Sequence, residues 1–228
     1  EAVASEVHAL HQQGFAVVGY AGSVFERAWY LRGFEQMLMD LATDRVFAEA
    51  LFERTAWCQR CVAIQFARAG VDIVLIGDDI AGQQGPLMSL STWRAHLKPR
   101  LKSVVEQAKN ARPGLYVCYH SDGDVEAFVP ELVETGVDIL NPLQPECMDV
   151  EALHKRFGQV VCFWGTVSVQ RTMPFGTPDQ VRTEVRSRMR QMGAAGGFIL
   201  SPAHRLGPEV PWENIQAFFE AADQVPTP

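Results

Sequence analysis

The segment LYVCYHSDGDVEAFVPELVETGVDILNPL, residues 115 to 143, decides the fold. It opens on an apolar run, passes through His120, Ser121, Asp122 and Gly123, continues as a helix-like stretch over 124–135, stops at Gly136, and ends in a second apolar run. Short runs rich in β-branched and aromatic residues, bounded by Gly, read as buried strands, and a Gly after an amphipathic stretch is a helix stop. Strand, helix and strand without a hairpin signal make a parallel unit.

The same rhythm runs along the chain. Strands are expected at 15–20, 72–77, 115–120, 138–143, 160–165 and 197–201, and helices at 34–69, 90–111, 124–135, 149–157, 177–193 and 211–223. Ser89 or Ser91 and Thr177-Pro178-Asp179 supply helix starts, and Gly158 supplies another stop. No linker or low-complexity segment interrupts 1–228, which is expected to form one domain.

A parallel sheet is either doubly wound or closed into a barrel, and periodicity does not separate the two. The polar residues do. Tyr20, Asp78-Asp79, His120-Ser121-Asp122, Asn141 with Glu146, Thr166 with Gln170, and Ser201 with His204 each follow a strand. In a (β/α)8 barrel all strand ends converge on one mouth, whereas in an open sheet only those beside the switch point do. The expected class is therefore α/β of the TIM-barrel type. Of the two aspartates Asp79 is the one expected to point inward.

The chain of 228 residues is 47% hydrophobic and carries a formal charge of −7 without a basic run, which speaks against nucleic acid or an anionic membrane as partner. No apolar run nears the ~20 residues that span a bilayer, and the five cysteines suit a reducing compartment. A cytoplasmic protein is expected. Cys58 and Cys61 form a C-x-x-C inside a helical stretch with no second pair, so helix packing is their expected role.

Four segments, DDIAGQQGPLMS (78–89), YHSDGDVEAFVPELVETGVDILNPLQPE (119–146), VVCFWGTVSVQRTMPFGTPDQVRTEVRSRM (160–189) and GGFILSPAHRLGPEVPWENIQAFFEAA (196–222), together resemble the uroporphyrinogen decarboxylase superfamily, which includes cobamide-dependent methyltransferases. The resemblance implies a (β/α)8 barrel with its site at the carboxyl-terminal mouth. It also implies that the chain lacks the first two β-α units, leaving the 15–20 strand or its neighbour as an unpaired edge. A homodimer through outer helices is compatible with it.

The two branches imply different chemistry. In the methyltransferases a His-x-Cys at a strand end and a later Cys hold zinc, opposite a corrinoid on a partner protein. Here the His is kept as His120, Asp122 stands for the first Cys and His204 for the second. Two imidazoles and a carboxylate suit a catalytic divalent ion, zinc or another first-row metal, and favour an oxygen-bearing substrate over a thiol. The i, i+2 spacing lets His120 and Asp122 reach one point as the chain leaves its strand.

The decarboxylases bind a porphyrinogen through its carboxylates. Tyr20 matches a tyrosine of that site and His204 lies near its histidine, but Asp79 replaces a serine and adds negative charge where an anionic substrate would sit.

The expected function is metal-assisted transfer of a methyl group from a small oxygen-bearing donor to a corrinoid, with His120, Asp122 and His204 as metal ligands and Asp79, Tyr20 and Glu146 as catalytic groups. The alternatives are porphyrinogen decarboxylation in heme biosynthesis and a non-catalytic barrel that binds a ligand or a corrinoid protein. Phe163 and Trp164 are expected to fill the barrel or wall the pocket, and Arg27, Arg32, Arg171 and Arg205 to lie near the mouth.

Overall fold

The computed structural model of the chain describes residues 1–194 and 196–224. Helix α1 (Ala2–Gln12) leads to β1 (Val18–Ser23), followed by α2 (Phe25–Arg32), α3 (Phe34–Thr43), α4 (Arg45–Ala69) and β2 (Ile73–Gly77). A hairpin of β3 (Ala81–Gly82) and β4 (Gly85–Pro86) comes next, then α5 (Leu90–His96), α6 (Lys98–Ala111) and β5 (Tyr116–His120). The remainder is α7 (Val129–Glu134), β6 (Ile139–Leu143), α8 (Val150–Phe157), β7 (Cys162–Val167), α9 (Thr172–Phe175), α10 (Pro178–Arg188), β8 (Phe198–Pro202) and α11 (Trp212–Asp223).

Six strands form one parallel sheet in the order β1-β2-β5-β6-β7-β8. Every crossover therefore moves to the next position in the same direction. A doubly wound sheet reverses direction at a switch point, and this one has none, which is the winding of a (β/α) barrel. Among the described residues the six strands do not close: β1 pairs only with β2 and β8 only with β7, as expected for the first strand. No helix among the described residues is long and apolar enough to cross a membrane.

At the lower rim, carboxylates tie neighbouring strands together. Asp72 accepts the Val17 N–H at 2.8 Å and pairs with His11 at 2.8 Å, and Asp138 accepts the Val117 N–H at 2.7 Å and the Lys109 ammonium at 2.8 Å. Above them Phe52, Trp93, Phe128 and Phe163 are fully buried between sheet and helices. Gly19 lets α4 approach β1, because a Cβ there would stand 2.6 Å from the Phe66 ring. Cys58 and Cys61 lie within α4 as free, part-buried thiols.

Four expectations need correction. The first strand begins at Val18, not at 15, and extends to Ser23, leaving Phe15 exposed. The 34–69 helix is two helices, parted where the Asp44 side chain accepts the Phe47 N–H to start α4, and α2 precedes them. The 90–111 helix breaks at Leu97, ahead of Lys98-Pro99, because Pro donates no N–H. The β3–β4 hairpin went unseen because two-residue strands around Gln83-Gln84 carry no periodicity.

Candidate functional site

His120 ends β5, and the loop behind it is fixed by a ladder of backbone contacts. Ser121 N–H donates to the Asn141 carbonyl at 2.9 Å, and the Ser121 hydroxyl accepts the Ile80 N–H at 3.1 Å. Asp122 N–H donates to the Asp79 carboxylate at 2.8 Å, and Gly123 N–H to the Gln144 side chain at 3.1 Å. Gly123 has φ +83°, and a Cβ on it would lie 2.5 Å from the Gly82 carbonyl oxygen. Only glycine passes there, which explains the Gly that follows His-Ser-Asp.

His204 arrives from the loop after β8, where Ala203 N–H donates to the Val167 carbonyl at 2.8 Å. Its Nε2 stands 3.6 Å from an Asp122 oxygen, and its ring centroid 6.2 Å from that of His120. One ligand atom each from His120, Asp122 and His204 lie within 4.8 Å of one another. Metal bonds of ~2.1 Å place tetrahedral ligand atoms roughly 3.5 Å apart. The Asp122–His204 pair already has that separation, and no spacing needs to shrink by more than about 1.3 Å. Two nitrogens and one oxygen fit a first-row divalent ion and leave positions for substrate.

Acidic groups crowd around this set. Burial pushes the Asp122 carboxyl above its usual range, with His120 and His204 opposing the shift and Asp79 adding to it. Glu26, at the start of α2, is also raised, first by burial and then by Asp79, with His120 opposing. Asp78 is buried and accepts the Phe25 and Glu26 N–H groups at 2.5 and 3.0 Å, so it caps α2; burial drives its carboxyl well above the usual range.

His120 and His204 line a cavity of about 760 Å³ together with Tyr20, Glu26, Asn141 and Trp164. On the other side, Asp122 and His204 line a polar cavity of about 320 Å³ with Gln83, Gln144, Gln170 and Arg205. The three candidate ligands thus stand in a wall between an apolar and a polar space.

Of the residues singled out by sequence, His120, Asp122 and His204 come together and Tyr20 faces the same cavity as both histidines. Asp79 lines neither cavity; its carboxylate is engaged with the Asp122 backbone. Glu146 also lies apart, accepting the Ser168 hydroxyl, with its second oxygen buried and without a partner among the described residues. Arg205 reaches both cavities, whereas Arg32 pairs with Asp40 at 2.7 Å. Phe163 is core and Trp164 is cavity wall. Glu26 escapes a reading that ends the first strand at Tyr20, because the strand runs on to Ser23 and so carries the start of α2 to the rim.

A family model described as uroporphyrinogen decarboxylase matches residues 1–225. A uroporphyrinogen decarboxylase of Legionella pneumophila is 25% identical over 215 residues, which is 92% of this chain and 58% of that protein. The chain therefore spans less than two thirds of the length of this relative. The methylcobamide:CoM methyltransferase MtaA of Methanosarcina barkeri is 27% identical over 179 residues, covering 76% of this chain and 49% of that one. A solved methyltransferase from Methanosarcina mazei superposes with a TM-score of 0.79 at 19% identity, over 97% of this chain and 63% of its own, and so shares the fold.

Proposed function

We propose, from the premise that this chain belongs to the uroporphyrinogen decarboxylase family, that it serves metal-assisted methyl transfer from a small oxygen-bearing donor to a corrinoid carried by a partner protein. Relatives in this family include both decarboxylases and a methyltransferase. The observation that supports the methyltransferase reading is the convergence of His120, Asp122 and His204 at a cavity wall.

His120 and His204 as neutral imidazoles, with an ionised Asp122, would hold the ion. A divalent ion there supplies Lewis acidity toward the donor oxygen, which makes the attached methyl a better target for a nucleophile. Tyr20 and Glu26 orient the donor: Gly77, lacking a side chain, leaves room for both, since a Cβ on it would stand 3.4 Å from Glu26 Oε2 and 3.6 Å from Tyr20 Oη. Glu26, whose burial favours its neutral form, can give its proton to the oxygen left behind when the methyl departs. Asp79 and Glu146, expected as catalytic groups, act in this proposal as positioning groups for Asp122 and for the 168–172 turn.

Porphyrinogen decarboxylation fits this cavity less well. Arg205 is the one Lys or Arg among its described lining residues, and a substrate bearing several carboxylates calls for more cations than that. The test presents the purified protein with reduced cobalamin and a panel of methanol and methyl ethers, and separately with a porphyrinogen. Methylcobalamin formation supports the proposal. Porphyrinogen decarboxylation without methylation refutes it, as does metal binding with turnover of neither.

A further inference from the structure

The His120 ring has one hydrogen-bond partner among the described residues: its Nδ1 lies 2.7 Å from Asn141 Oδ1. Asn141 sits directly across from His120 in the β5–β6 register, and its carbonyl oxygen is held by Ser121 N–H at 2.9 Å. The side chain therefore leaves a backbone that both strands and the loop constrain. A carbonyl oxygen only accepts, and a neutral imidazole carries a single N–H. The proton consequently belongs on Nδ1, and Nε2 is left bare.

His204 has no equivalent support among the described residues. It is exposed on a loop, and its polar neighbour is the Asp122 carboxylate at 3.6 Å, on the Nε2 side. The two candidate ligands are thus built differently. One is set in tautomer and direction by a strand residue, and the other, among the described residues, only by its fellow ligand.

We propose that Asn141 is a positioning residue that fixes His120 as the Nδ1–H tautomer and so presents a bare Nε2 to a cation shared with Asp122 and His204. An unconstrained neutral imidazole favours the opposite tautomer, so without Asn141 the ligand nitrogen would carry a proton that must move before the ion can bind. Partners that orient a ligating imidazole in this way are worth about 10–100-fold in metal affinity. The affinity arm rests on the metal-centre reading given above; the tautomer arm does not.

The test is nitrogen NMR of the metal-free full chain at pH 8, with the imidazole tautomer of His120 read from its two ring-nitrogen shifts, followed by zinc titration of the same samples. Wild type is expected to show Nδ1–H with Nε2 unprotonated. Asn141→Leu should lose that preference and bind zinc about 10–100-fold more weakly. Asn141→Asp, which restores an acceptor of similar shape, should keep the Nδ1–H tautomer and recover the affinity. The proposal is overturned if wild-type His120 is protonated on Nε2, if Asn141→Leu leaves the tautomer unchanged, or if Asn141→Asp binds zinc as poorly as Asn141→Leu. Should wild type show the expected tautomer yet take up no zinc, the metal centre fails while the role of Asn141 stands.

Discussion

Replacing Gly123 by alanine should damage the fold and the site together. The residue has φ +83°, a conformation that costs an L-residue about 1–2 kcal/mol. Its new methyl would also stand 2.5 Å from the Gly82 oxygen and 2.7 Å from the Ala81 oxygen. Those are backbone atoms of the β3–β4 hairpin, and Gly82 is further held by Asp124 N–H at 2.9 Å, so neither side yields readily. Forced overpacking of this kind adds about 1–3 kcal/mol, for a total near 2–5 kcal/mol. Gly114 is the matched control: its φ is also +83°, but nothing lies within 4 Å of its would-be Cβ. Urea unfolding of both variants separates the conformational cost they share from the steric cost carried by Gly123→Ala alone. Zinc titration should then show weaker binding in Gly123→Ala only, because Asp122 is its neighbour. Equal unfolding midpoints and equal zinc affinities in the two variants would refute the reasoning.

Asp122→Asn removes the one anionic candidate ligand and should lower metal affinity at least about tenfold while leaving the unfolding midpoint nearly unchanged, whereas Asp122→Cys should keep zinc and shift preference toward thiol substrates; calorimetric titration and substrate competition check both. Asp78→Asn should be tolerated within about 1 kcal/mol, since burial already favours the neutral acid, but Asp78→Ala strands one buried and one part-buried helix N–H group and should cost about 2–4 kcal/mol in denaturant unfolding. The hydrogen bonds from Arg94 and Lys98 lower the Glu131 carboxyl from 4.5 to about 2. A lowered carboxylate stabilises above its unfolded value, so that contribution is complete above pH 4.5 and fades as pH falls toward 2. Discounted for the exposure of Arg94, it is about 1–2 kcal/mol, and Glu131→Gln should flatten stability against pH over that window.

The sheet was legible because each strand is a short apolar run that a polar residue ends, and the strand ends lie within a residue or two of expectation at β2, β5, β6 and β8. The first strand was cut short at Tyr20 because its last residues, Ala21, Gly22 and Ser23, carry no strand preference, and Glu26 was lost with them. His120, Asp122 and His204 could be grouped because the resemblance places them at the family's metal-ligand positions, and the fold then brings those positions together. Asp79 was the aspartate expected to point inward, but the partners that fix the two roles lie far along the chain: Asp78 caps a helix starting at Phe25, and Asp79 supports the Asp122 backbone. Glu146 reads as a free loop carboxylate until the fold brings Ser168 against it. Local pattern shows which residues stand at the rim, and tertiary partners decide which of them are free to act.

The most direct measurement is the rate of reduced-cobalamin methylation by one preparation of the protein, taken before chelator treatment, after it, and after reloading with zinc. The account predicts that activity falls to background on stripping, returns with one equivalent of metal per chain, and does not return in His120→Ala. Methyl transfer at the original rate by the stripped protein would contradict it, and the His-Ser-Asp-Gly segment would then be a turn that the fold requires and the chemistry does not.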